Sequence, residues 1–252
     1  MAGRLANKVA FVAGASKGIG RATAKRMAEE GAFVVAGARS MELLNELVAE
    51  IEAEGGKAEA VKIDISDLDH YRASIADVAK RHGRLDVMVH NAMCGLGAPV
   101  VDLTLDIWRA NFLMNTDACF VATQEAIRAM MPQRSGSIIN IASIGALKVP
   151  MGHAAYGASK AALVHFSRCA ALEIAPHNIR VNVVAPGMIE TDTMFGSLPS
   201  QEATNFARSM IPMQRFGLPV ELANAVVFLA TDEASFITGE TIMVDGGRMP
   251  KM

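Results

Sequence analysis

The run Val9-Ala10-Phe11-Val12-Ala13 passes without a break into Gly14-Ala15-Ser16-Lys17-Gly18-Ile19-Gly20, and a helical pattern follows at once. Five apolar residues are too few for a signal-peptide core, and bounded by a glycine turn they read as a buried strand. Glycines let the backbone turn sharply and come close to a ligand. The free N–H groups and the dipole at the start of the next helix favour negative charge. Strand, glycine turn and helix in that order read as a site for the pyrophosphate of a dinucleotide. The Gly-Lys-Ser/Thr ending of a phosphate-binding P-loop is absent.

Beyond this unit, apolar strand-like runs alternate with helical patterns, which is how a doubly wound parallel sheet reads in sequence. Strands are expected at residues 9–13, 33–36, 58–63, 85–90, 137–141, 180–184 and 241–244. Helices are expected at 21–31, 41–55, 71–82, 105–131, 155–175 and 220–230. The spacing predicts one α/β domain over residues 1–252, a Rossmann-type sheet with helices on both faces. Residues 188–219, rich in Met, Pro and Gly, lack clear periodicity and are the expected substrate lid.

Half of the residues are apolar, a fifth are charged and the net charge is −2, which gives no electrostatic footprint for nucleic acid or an anionic membrane. No apolar segment reaches bilayer-spanning length. Cys94, Cys119 and Cys169 are far apart and lack metal-ligand spacing, so no metal is expected and a reducing, cytoplasmic setting is.

The segment from Ser143 to Lys160 brings a hydroxyl, a phenol and an amine together. Tyr156 and Lys160 are four apart, which puts both on one face of a helix. A phenol with a reference pKa of about 10 is a poor proton carrier at neutral pH, and a nearby ammonium favours the phenolate. The pair therefore points to acid–base chemistry with Lys160 lowering the Tyr156 pKa.

After the second expected strand comes Gly37-Ala38-Arg39-Ser40, where a carboxylate would receive the ribose hydroxyls of NAD. None is there. Arg39, with Lys17, is placed to hold the 2′-phosphate of NADP, so NADP(H) is favoured and NAD(H) stays open.

From Lys8 to Gly247 the ordered motifs resemble the short-chain dehydrogenase/reductase family. The glycine loop is Gly14, Gly18 and Gly20, with Ser16, Lys17 and Ile19 between them and Ala13 where the family usually has Thr. The resemblance implies that Asp64 and Ile65 meet the adenine, that Arg39, Ser40, Asn91 and Ala92 contribute to the nucleotide site, and that Pro186, Gly187, Ile189 and Thr191 approach the nicotinamide end. It further implies a catalytic set of Asn115, Ser143, Tyr156 and Lys160. In that reading Tyr156 exchanges the proton, Ser143 bonds the carbonyl, Lys160 also bonds the ribose and Asn115 anchors a water that relays protons to solvent. Hydride would leave the B face of the ring. One departure stands out: the family's Asn-Asn-Ala-Gly reads His90-Asn91-Ala92-Met93, so His90 is expected to be a packed residue and Met93 to narrow the pocket.

Residues 93–97, 144–151 and 188–195 are expected to line the substrate pocket with mostly apolar atoms, which suits an uncharged, apolar or cyclic ketone or secondary alcohol. A 3-oxoacyl-acyl-carrier-protein reductase is the alternative. Arg128 is available for an acidic carrier, while Leu172 stands where such reductases often carry Arg. A cofactor-sensing protein without catalysis is a third reading. By resemblance the helices at 105–131 and 155–175 pair across subunits in a homotetramer, and they fit a buried face within one subunit equally well.

Overall fold

The computed structural model describes residues 3–148, 151–196, 198 and 200–249. Its centre is β1 (Val9–Ala13), buried along its whole length. Successive side chains of a strand point to opposite faces, and here both faces are covered. Ala10 and Val12 enter the core under α1 (Gly18–Glu29), while Val9, Phe11 and Ala13 enter the core on the other side.

The remaining strands are β2 (Phe33–Ala38), β3 (Lys57–Lys62), β4 (Val87–His90), β5 (Gly136–Ile141), β6 (Ile179–Pro186) and β7 (Thr241–Val244). All pairings are parallel, in the order β3-β2-β1-β4-β5-β6-β7. One face is covered by α1, α2 (Met41–Ala53) and α9 (Pro219–Ala230), whose Met27, Leu44, Leu47, Leu222 and Val226 share a core. The other is covered by α3 (Leu68–His82), α5 (Ala118–Met130) and α6 (Ala154–Ile174), through Tyr71, Ile75, Val78, Val121 and Ala170. The chain is a single α/β unit with a doubly wound Rossmann sheet.

The order reverses between β1 and β4. Their following loops diverge to opposite faces, and a crevice opens at the carboxyl ends of the strands. Local signals set the elements around it. Asp67 caps α3 by accepting from the His70 N–H at 3.0 Å, and Gly83 ends that helix with a left-handed φ of 68°.

Two expectations change. The single helix expected at 105–131 is α4 (Leu105–Phe112), one π-helical turn (Leu113–Asp117) and α5. The wider turn coincides with the inward hydrogen bonding of Asn115, a tertiary demand invisible to hydrophobic periodicity. Residues 188–219, expected to be irregular, contain α7 (Asp192–Gly196) and α8 (Gln201–Ser209). Ser200 caps α8 by accepting from the Ala203 N–H at 3.2 Å, but Ala207 is its only buried residue. At nine residues the helix is short for its periodicity to stand out within an irregular, Met- and Pro-rich stretch. Ala207, Ile211 and Phe216 nevertheless form a small separate core, with Met188, Met194 and Leu198 packed on it. Residues 197 and 199 of the expected lid lie outside the described residues.

Candidate active site

A cavity of about 890 Å³ occupies the crevice. Its floor is built from the glycine turn. Gly14 has a φ of 84°, and a Cβ there would come within 2.7 Å of the Ala92 backbone nitrogen. Only glycine lets the turns after β1 and β4 approach so closely. Asn91 locks them by donating from Nδ2 to the Gly14 carbonyl at 3.1 Å. Gly20 lies one turn into α1, where a side chain would collide with that same carbonyl and with the Asn91 amide, so it packs below the cavity.

The start of α1 suits an anion. Lys17 at its N-cap makes no side-chain cap bond, and the first turn holds no acidic residue, so the helix N–H groups are not answered by a neighbouring carboxylate. Lys17 and Arg39 are exposed, line the cavity and form no ion pair among the described residues. The turn and the free helix start fit the pyrophosphate of a dinucleotide, with two cations beside them.

Of the residues expected to bind it, Gly14, Ser16, Lys17, Gly18, Ile19, Arg39, Ser40, Ile65, Asn91, Ala92, Pro186, Gly187, Ile189 and Thr191 line the cavity. Asp64 does not. Its Oδ1 accepts from the Ser66 N–H at 2.9 Å and the Ser66 hydroxyl at 2.7 Å. These bonds hold its carboxyl below the usual range, with Arg39 adding to the effect. Asp64 thus closes the turn after β3, and its neighbours Ile63 and Ile65 supply the wall.

At the other end of the cavity stand Ser143, Tyr156 and Lys160. Ser143 follows β5, and its Oγ accepts from the Gly145 N–H at 3.0 Å, which ties off a 3-10 turn over Ile144–Ala146. Tyr156 and Lys160 lie one turn apart on α6, as their spacing predicts. Lys160 is 1% exposed, and its Nζ donates to the Ile141 carbonyl at 2.8 Å. Burial pushes its ammonium down to about 8, with Cys119 acting in the opposite sense. The Tyr156 phenol moves the other way from expectation. Burial raises it, and the opposing influence is a hydrogen bond from Ser143 rather than the charge of Lys160. With both groups removed from water, loss of solvation of the charged form governs each of them.

Asn115 is fully buried and does not line the cavity. Its Nδ2 donates to the Cys94 carbonyl at 2.8 Å and to Ser159 Oγ at 2.9 Å, and its Oδ1 accepts from the Cys94 N–H at 2.9 Å. Both amide hydrogens are spent on protein, so the side chain clamps the loop after β4 onto α6.

The expected substrate segments divide. Met93 and Gly95 line the cavity, as do Met188, Asp192 and Met194. No described residue of 144–151 does: the turn tied off by Ser143 packs against α6 beside Tyr156 instead, and residues 149 and 150 lie outside the described residues. Met93 has no left-handed φ, so this loop does not require the glycine its position usually holds. Sequence reasoning missed Leu43, Met114 and His153, which also line the cavity. His153 lay within reach as the polar residue just before α6, but nothing local marks which way it faces.

A glycine turn at the switch point of a doubly wound sheet, facing a buried lysine and a tyrosine across one crevice, marks an oxidoreductase that works with a nicotinamide dinucleotide. Comparisons with known proteins agree. A family model described as enoyl-(acyl carrier protein) reductase matches residues 14–248. The chain is 41% identical to a 3-oxoacyl-[acyl-carrier-protein] reductase of Thermotoga maritima, over 97% of this chain and 98% of that protein. It is 36% identical to a cyclopentanol dehydrogenase of Comamonas, over 97% and 98%. Among solved structures, a putative NAD(P)-dependent gluconate 5-dehydrogenase from Beutenbergia cavernae with bound NADP superposes with a TM-score of 0.94 at 36% identity, covering 98% of each chain. The protein belongs to the short-chain dehydrogenase/reductase family, oxidoreductases that act on CH–OH groups.

Proposed function

We propose that this protein interconverts a ketone and a secondary alcohol with NADP(H), on an apolar or cyclic substrate. The observation that carries this reading is the joint presence of Ser143, Tyr156 and Lys160 on the wall of the same cavity as the glycine turn. Bound there, the nicotinamide supplies or accepts the hydride. Tyr156 passes its phenolic proton to the developing alkoxide, and the Ser143 hydroxyl donates to the carbonyl oxygen and orients it. Lys160, held by the Ile141 carbonyl on the wall of the cavity, would hold the nicotinamide ribose. Asn115 keeps the loop after β4 and α6 in register beneath them.

NADP is preferred over NAD because Arg39 and Lys17 offer two cations where a carboxylate would select NAD. The solved relative with bound NADP supports the same choice. Met93, Met114, Met188 and Met194 give the cavity an adaptable apolar lining. The segment carrying α7 and α8 covers the substrate as a lid. Exposed Trp108, Phe120 and Leu172 on α4, α5 and α6 support assembly into a homotetramer through those helices, which light scattering measures. No described helix is long and apolar enough to cross a membrane, and a cytoplasmic location belongs to the same reading.

A second reading, reduction of 3-oxoacyl groups on a carrier protein, is favoured by the 41% identical relative. Against it, Arg128 is paired with Glu125 at 2.9 Å, and Leu172 is 80% exposed where a carrier-binding arginine would stand. A screen of free ketones and alcohols alongside carrier-linked thioesters, with both nicotinamide cofactors, separates the two. Turnover of free ketones with NADPH supports the first reading, and turnover restricted to thioesters overturns it.

A further inference from the structure

One ring nitrogen on the cavity wall has no part in the chemistry above. His153 precedes α6, three residues before Tyr156. Its Nδ1 lies 3.1 Å from the Met151 carbonyl oxygen. A carbonyl can only accept, so Nδ1 is the nitrogen that donates, and the tautomer this selects has its lone pair on Nε2. No described residue bonds that nitrogen.

The ring is held in place. It meets Tyr156 edge-on with 6.4 Å between ring centres, its backbone bridges to Ala98, and a Cβ on Gly97 would come within 3.3 Å of its Cδ2. Around the reacting oxygen, the hydroxyls of Ser143 and Tyr156 donate. His153 is the group beside them with a free acceptor. Asp192, another acceptor on the cavity wall, is exposed at the start of α7.

We propose that His153 is a specificity residue that accepts a hydrogen bond from a second hydroxyl, making vicinal diols and the matching α-hydroxyketones the preferred substrates. This rests on the ketone–alcohol reading. In oxidation, one carbinol C–H bond breaks and its electron pair leaves as hydride to the oxidised nicotinamide. The O–H proton goes to the Tyr156 oxygen, and C–O becomes C=O. The second hydroxyl keeps all its atoms.

The test compares NADP-linked oxidation of cyclohexanol and of cis- and trans-cyclohexane-1,2-diol by the wild-type enzyme and by His153→Leu and His153→Gln. The wild type is expected to favour one diol isomer over cyclohexanol about tenfold in kcat/KM, the worth of one well-placed hydrogen bond. His153→Leu loses that ratio, and His153→Gln, which retains an acceptor oxygen, keeps most of it. Calorimetric titration of the diol into the NADPH-bound protein, which cannot oxidise it, is expected to show the same order. A wild type that oxidises cyclohexanol without diol preference, or a ratio unmoved by His153→Leu, overturns this proposal alone. A wild type inert on every alcohol overturns the reading beneath it as well.

Discussion

Tyr71 Oη lies 3.1 Å from Nδ1 of His90, and neither side chain is exposed. The pair joins α3 to the carboxyl end of β4, directly beneath the turn that carries Asn91 and Ala92. As expected from the sequence, His90 is a packed, hydrogen-bonded residue. Its Nε2 has no partner among the described residues. Burial, reinforced by the charge of Lys160, pushes the imidazole down to about 3.

The native ring therefore stays neutral down to about pH 3, while the unfolded ring takes up a proton near the ordinary histidine value of 6.5. Between those values the unfolded chain binds more protons, so this group costs stability as the pH falls. His90→Asn, which restores the usual family residue, is expected to lose less stability than the wild type between pH 6.5 and 4. The gap should grow by on the order of 3 kcal/mol, at 1.36 kcal/mol per pKa unit. Urea unfolding of both proteins across that range checks it, and parallel pH profiles refute it.

Tyr156→Phe preserves the ring that packs against His153 and deletes the proton it exchanges. Turnover is expected to fall by about 10²–10⁴-fold, the usual worth of a positioned acid. NADPH binding, followed by fluorescence titration, should stay close to wild type. Retained turnover contradicts the acid–base assignment.

Arg39→Asp replaces a cation at the end of β2 with the carboxylate that NAD-binding sites use. The KM for NADP is expected to rise about 10–100-fold, as for loss of a charge-assisted hydrogen bond, and the KM for NAD to fall. Steady-state kinetics with both cofactors decide this, and an unchanged preference counts against the phosphate role.

Asn115→Ala strips three hydrogen bonds from a fully buried position and leaves the Cys94 N–H without a partner. A cost of about 2–4 kcal/mol is expected in urea unfolding, with an unchanged dependence on denaturant. A variant as stable as the wild type shows that the clamp carries no weight.

The features legible in the sequence depend on neighbours along the chain. Val9–Ala13 is apolar at every position because both faces of β1 are covered, and the glycine turn announces itself because backbone freedom belongs to the residue type. Tyr156 and Lys160 share a face because the helical repeat requires it.

Distant neighbours decided the rest. That Lys160 is buried follows only from α6 packing on the sheet, where its Nζ meets the Ile141 carbonyl and the loss of water brings its pKa down to about 8. Asn115 becomes a clamp only because a π turn aims it at Cys94 and Ser159, and His153 becomes a candidate ligand for substrate only once the Met151 carbonyl holds its proton. The amino-acid order by itself determined the sheet, the turn and the chemical groups available, since those follow from local periodicity and residue type. Which groups lose water, and which of their hydrogen-bonding atoms are left free, was decided by tertiary packing, because solvation and hydrogen bonding depend on residues far away along the chain.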